Sequence, residues 1–213
     1  ISTKINQSID ELALIESKDT GKPLKQSKID AQVAARYFEF YAGAADKIHG
    51  EVIPTQFGFN SFTKREPHGV TGHIIPWNYP LQMGSRTFAA SLAAGNCLVI
   101  KPAEEACLTV LKIANFAIES GLPPDVINIV TGYGEEIGPS LCKHSEIDHL
   151  CFTGSPEVGS IVQQNVALNN KSCTMELGGK SPHIVFSDCD IESAVPVILN
   201  SIIQNSGQTC SAG

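Results

Sequence analysis

Cys210 stands in the run Gly207-Gln208-Thr209-Cys210-Ser211-Ala212-Gly213, and Glu176 in Met175-Glu176-Leu177-Gly178-Gly179-Lys180. A cysteine among small polar neighbours can attack a carbonyl, and a carboxylate supplied from elsewhere can activate the water that releases a thioester. A third candidate lies far upstream. The loop Ile75-Pro76-Trp77-Asn78-Tyr79-Pro80 is stiffened by two prolines, and Asn78 carries a neutral amide that can donate to an oxyanion without competing as an acid. On its own this loop reads better as turn chemistry.

Cys210 lies three positions before the last residue, whereas an active thiol needs surrounding structure to lower its pKa and shield its intermediate. Ile1 is not an initiator methionine, and the residues after it read as the middle of a helix. The expectation is a piece of a longer protein, with any targeting signal upstream of it.

Three further segments bear on phosphate and ribose. Phe152-Thr153-Gly154-Ser155-Pro156-Glu157-Val158-Gly159 places an N-cap serine before a first-turn proline, a helix start whose N–H groups suit a phosphate. Lys101-Pro102-Ala103-Glu104 offers a cation and an acid for ribose hydroxyls. Gly132-Tyr133-Gly134 with Gly138 has one residue too many for G-x-G-x-x-G, so a plain strand-to-helix turn serves as well. Gly179-Lys180-Ser181 fails as a P-loop, because the glycine required five residues before Gly179 is Thr174.

The elements that must hold these residues follow from periodicity. Apolar residues at Ile29, Val33, Tyr37, Tyr41, Ala44 and Ile48 predict a helix over 28–48 with one buried stripe. Segments 52–54 and 59–65 read as a hairpin. Strands are then expected at 70–75, 97–100, 126–130, 147–152 and 172–177, alternating with helices at 81–94, 107–120, 135–142 and 156–166. This alternation predicts a parallel, doubly wound α/β sheet. Ligands of such sheets bind beyond the carboxyl ends of the strands, where Trp77 and Asn78, Lys101 and Glu104, Gly154 and Ser155, and Glu176 all fall. Gly178-Gly179 breaks the pattern; a strand at 182–186 and a helix at 191–205 are read as the start of a second domain.

Composition bounds the remaining classes. With 213 residues, 42% hydrophobic and 17% charged, the chain has an ordinary globular make-up, and its net charge of −7 argues against nucleic acid as a partner. No apolar run approaches the roughly 18 residues of a membrane span. Seven cysteines without framework spacing fit reduced thiols in the cytoplasm. Cys142, His144, His149 and Cys151 lie close in sequence but lack the knuckle spacing of structural zinc, so no metal is expected.

Pro-Trp-Asn-Tyr-Pro at 76–80, Lys-Pro-Ala-Glu at 101–104, Phe-Thr-Gly-Ser at 152–155 with Gly159, Glu-Leu-Gly-Gly-Lys at 176–180 and Gly-Gln-Thr-Cys at 207–210 together resemble the aldehyde dehydrogenase superfamily in order and spacing. The resemblance runs over essentially the whole chain. It implies a helical lead-in over 1–49, an oligomerisation hairpin over 50–66, a Rossmann-like NAD domain over 67–177 and the start of a catalytic domain over 178–213. It further implies Cys210 as nucleophile, Glu176 as general base, and Asn78 with the Cys210 N–H as oxyanion donors. Ser155 would meet the pyrophosphate, Lys101 and Glu104 the adenosine ribose, and Trp77 would line the cofactor cleft. Ile75, Pro76, Thr153 and Gly154 are further cofactor-binding positions by the same resemblance, as are Val158, Gly159, Leu177, Gly134 and Gly138. The implied activity is NAD-dependent oxidation of an aldehyde to a carboxylic acid, with NADP as a weaker cofactor and a homodimer or homotetramer at full length. The family's N-terminal segment, most of its catalytic domain and a later acid for the nicotinamide ribose are missing, so the chain alone is expected to be inactive. Acyl transfer to coenzyme A and a non-catalytic dinucleotide-binding or interaction fragment are the rival readings.

Overall fold

The computed structural model describes all 213 residues. Three helices open the chain: α1 (Ser2–Gln7), α2 (Ile9–Thr20) and α3 (Leu24–Ala44). Gly21, at φ 75° in the left-handed region, ends α2, and Pro23 starts α3 four residues earlier than periodicity indicates. A short 3-10 turn over 45–47 then closes α3 before Ile48.

The buried face of α3 also differs from the expected stripe. Ser27, Asp30, Ala31, Ala34, Ala35 and Phe38 point inward, whereas Ile29 and Ile48 are exposed and Val33, Tyr37 and Tyr41 are half-buried. Alanines on the inner face let neighbouring helices approach closely, so small side chains took the core and larger ones flank it.

The hairpin forms with only two residues per strand. β1 (Val52–Ile53) pairs antiparallel with β2 (Ser61–Phe62), in register Val52 to Phe62. The expected longer strands do not develop, because a two-stranded ribbon with no covered face is marginal. Val52, Phe57, Phe59 and Phe62 all face outward.

The main sheet matches the expected alternation. Its strands are β3 (Val70–Ile74), β4 (Cys97–Lys101), β5 (Ile127–Ile129), β6 (His149–Gly154) and β7 (Ser172–Leu177). All pairs are parallel, in the order β5-β4-β3-β6-β7. The intervening helices are α4 (Pro80–Ala93), α5 (Leu108–Glu119), α6 (Gly134–Lys143) and α7 (Pro156–Ala167). From β3 the chain winds outward to β5, then returns through α6 to the opposite side of β3. The topological switch therefore lies between β3 and β6.

Each face of the sheet has its own core. On one side Leu98 and Ile100 pack with Leu81, Phe88, Val110, Ile113 and the alanines of α3. On the other Leu150 and Phe152 pack with Leu141, Cys142, Val162 and Val166. The expected strand at 182–186 is absent: these residues run without regular structure, because no neighbouring chain offers their backbone a ladder. Helix α8 (Ile191–Ile203) does form, from an Asp190 cap, and buries none of its residues.

Candidate active site

Asn78, Lys101, Glu104, Ser155 and Glu176 all sit at the carboxyl edge of the parallel sheet, and the loop bearing Cys210 folds back to that edge. Beyond β3 the backbone of Ile75 is still held to the sheet, its N–H donating to the Lys101 carbonyl at 3.1 Å. Pro76 to Tyr79 then loop over the switch point, and Pro80 opens α4 at the position where a missing N–H costs nothing. Beyond β6, Ser155 caps α7 as expected, its Oγ accepting from Val158 N–H at 3.3 Å. Gly159 allows α7 to lie close on β7, since a Cβ there would come within 2.6 Å of Leu177 Cδ2. Glu176 and Leu177 end β7.

Between these edges lies a cleft of about 790 Å³, lined among others by Trp77, Asn78, Thr153, Gly154, Glu176 and Cys210. That size suits a small-molecule ligand. Pro76, Ser155 and Leu177 also border it, while Val158, whose N–H the Ser155 hydroxyl caps, is exposed on α7. Glu176 and Cys210 are exposed, and a Cβ at Gly179 would lie 3.5 Å from the Cys210 carbonyl.

Asn78 and the cysteine loop are joined directly. The Asn78 amide donates to the Gln208 carbonyl at 2.9 Å. An amide nitrogen carries two hydrogens, so a second remains for a ligand. Asn205 spans both loops, its Nδ2 donating to the Asn78 carbonyl at 3.1 Å and to the Gln208 carbonyl at 3.0 Å. It is buried in a left-handed conformation at φ 49°, which asparagine tolerates better than most residues. The sequence reading missed Asn205; an asparagine just before a glycine-containing turn is the one local sign of it. Tyr79 was missed too. Burial pushes its phenol above the ordinary range, with Thr209 pulling the other way.

A second group lies around the ends of β4 and α6. Lys101 is the last residue of β4 and is buried, and its ammonium pairs with Glu104. Glu104 also accepts the Gly134 N–H at 3.3 Å, and chiefly through Lys101 its carboxyl is held below the usual range. Gly134 opens α6 beside this ion pair, and Gly138, one turn on, lies over Ile74 at the end of β3.

The four residues weighed as zinc ligands are parted by the sheet. Cys142 belongs to the core beneath α6 and α7, whereas His149 faces the other side, where it meets Ser172 at 2.7 Å and Thr174 at 3.1 Å.

A doubly wound parallel sheet, with a cleft at its switch point and a cysteine loop tied to an amide donor beside that cleft, defines a dinucleotide-binding type of fold. The chain belongs to the aldehyde dehydrogenase family, whose model matches residues 1–213. It is 46% identical over 204 residues to human retinal dehydrogenase 2, covering 95% of this chain and 39% of that protein. A crystal structure from Burkholderia cenocepacia assigned to an aldehyde dehydrogenase superposes with a TM-score of 0.97 at 60% identity, over 100% of this chain and 45% of that one. The structure of PnpE in complex with nicotinamide adenine dinucleotide superposes at 0.96 with 40% identity, over 99% and 44%. The chain thus spans about two fifths of the curated relatives it matches.

Proposed function

We propose that the full-length protein oxidises an aldehyde to a carboxylic acid with NAD, and that this chain supplies its dinucleotide site and its nucleophile. The observation that carries the reading is the Asn78–Gln208 bond, which holds an amide donor beside the cysteine loop across the switch-point cleft.

The residues fit a dinucleotide on structural grounds. The first turn of α7 opens onto the cleft behind Ser155, and the helix dipole favours a pyrophosphate there. The Lys101–Glu104 pair offers a donor and an acceptor for ribose hydroxyls, and the bound form of PnpE supports the same cofactor. Pro76, Trp77, Thr153, Gly154 and Leu177, which line the cleft, would wall the cofactor, with Ile75, Val158 and Gly159 behind them and Gly134 and Gly138 toward the ribose. A nicotinamide bound there would supply the hydride acceptor.

Cys210 adds as thiolate to the aldehyde carbonyl, giving a thiohemiacetal. Asn78 and the Cys210 N–H steady its oxyanion. Loss of hydride leaves a thioester on Cys210. Glu176 takes a proton from water, which attacks the thioester and releases the acid, returning the thiolate. Segment 50–66 serves oligomerisation to a dimer or tetramer, 67–177 binds the cofactor, and 178–213 begins the catalytic domain.

The test is an assay of the full-length protein with NAD and a panel of aldehydes, with and without coenzyme A. Stoichiometric NADH and free acid are expected. An acyl-coenzyme A product would assign the rival acceptor, and cofactor binding without turnover would leave only a binding role.

A further inference from the structure

Lys22 is a fully buried lysine with two fully buried carboxylates against it. Its ammonium donates to Glu16 Oε1 at 2.9 Å and to Asp30 Oδ2 at 2.7 Å, and none of the three side chains reaches solvent. Both acids are bound again on their far oxygens. Glu16 Oε2 accepts from Thr109 at 2.7 Å, and Asp30 Oδ1 accepts from Gln26 at 2.8 Å and Gln82 at 2.7 Å. Helices α2, α3, α4 and α5 therefore meet on one charged cluster.

Such a cluster is a poor means of stabilising a core. Burial pushes the Glu16 carboxyl above its ordinary value even against the pull of Lys22, and replacing buried ion groups with apolar ones is often neutral or favourable. What the cluster supplies is a fixed cation. Its open side faces the ring of Tyr79, with Lys22 Nζ at 4.4 Å from the centroid. Tyr79 borders the cleft, follows Asn78 directly, and precedes the proline that opens α4.

We propose that Lys22 is a positioning residue for the oxyanion donor: clamped by Glu16 and Asp30, its ammonium holds the Tyr79 ring and so fixes the loop from which Asn78 reaches the cysteine. The catalytic consequence rests on the function proposed above, whereas the restraint on the loop does not. A cation on an aromatic face is worth more as the pair is desolvated; here the ammonium is fully buried and the ring half-buried, its other side on the cleft. Pro80 restricts the backbone of Tyr79, so a held ring transmits its position to the residue before it.

The experiment is a cycle in the full-length protein of Lys22→Met, Tyr79→Leu and the pair, with Tyr79→Phe as the variant that keeps the ring. First-turnover NADH formation is expected to slow about tenfold in each single variant and no further in the double, as one shared contact requires. NAD affinity stays within about twofold, and Tyr79→Phe stays close to the parent. Multiplying effects, or NAD affinity falling as far as the first turnover, would overturn the proposal. If the parent oxidises no aldehyde, the function fails but the loop restraint is still read by hydrogen exchange. Lys22→Met should then speed exchange across 75–83 about tenfold while leaving β3, β4 and β6 unchanged, and an unchanged loop refutes it. If Lys22→Met does not fold, equal slowing by Tyr79→Leu and Tyr79→Phe refutes it instead.

Discussion

The side-chain amide of Asn205 lies 3.1 Å from the carbonyl oxygen of Asn78, a residue 127 positions earlier, and it reaches the Gln208 carbonyl as well. One buried side chain thereby sets the distance between the loop after β3 and the loop bearing Cys210. Asn205→Gly keeps the left-handed backbone accessible and removes both bonds. The expected outcome is a loss of about ten- to a hundredfold in kcat/KM, from one to two hydrogen bonds of roughly 1.5 kcal/mol each, with NAD affinity retained. Steady-state kinetics beside a NAD titration checks it; an equal fall in NAD affinity would place the effect in the fold instead.

Cys210→Ala removes the proposed nucleophile while leaving the α7 and β4 ends untouched. Aldehyde oxidation should fall by several orders of magnitude with NAD binding nearly intact. Turnover within about tenfold of the parent would take Cys210 out of its role.

Glu176→Gln tests which step the carboxylate serves. If it activates water, one rapid burst of NADH precedes a slow steady state, because the thioester forms normally and hydrolyses slowly. Stopped-flow absorbance with no burst and an equally slow first turnover would assign Glu176 to activation of the thiol.

Glu104, paired to Lys101 and accepting from Gly134, bears on cofactor choice. Its carboxylate can accept from a ribose 2′-hydroxyl and would repel a 2′-phosphate. A preference for NAD over NADP of roughly one to two decades in kcat/KM is expected, reduced in Glu104→Ser. Equal use of both by the parent would dismiss the acid from that task.

His73 predicts a dependence of stability on pH. Burial, with a smaller push from His149, lowers its pKa from 6.5 to about 4, and its Nδ1 is buried without a partner. Between those values the unfolded chain binds the proton and the folded one does not, so stability falls as pH drops from about 6.5 toward 4. The full shift corresponds to on the order of 3 kcal/mol. Urea unfolding at pH 7.5 and 5, in the parent and in His73→Gln, should show the smaller loss in the variant; equal losses would exclude His73.

The alternation of strand and helix from Val70 to Leu177 was readable because apolar periodicity and the glycines and prolines between elements are local properties. So were the Ser155 cap and the gathering of Asn78, Glu104, Ser155 and Glu176 at strand ends, since a parallel sheet puts successive carboxyl ends on one edge. The family resemblance gave Cys210 its expected partners. Three things were settled only by the folded chain. The inner face of α3 went to its alanines, because neighbouring helices chose the closest approach. Segment 182–186 formed no strand, because a ladder needs a neighbour that periodicity cannot supply. Lys22, Asp30 and Asn205 stand in unremarkable stretches, Tyr79 sits in a loop notable for its neighbour Asn78, and the contacts around them join residues as far apart as Glu16 and Thr109, or Asn78 and Asn205. Side-chain type and spacing name the groups able to react, but which distant polar group satisfies which is decided when helices and loops close over them and water is excluded.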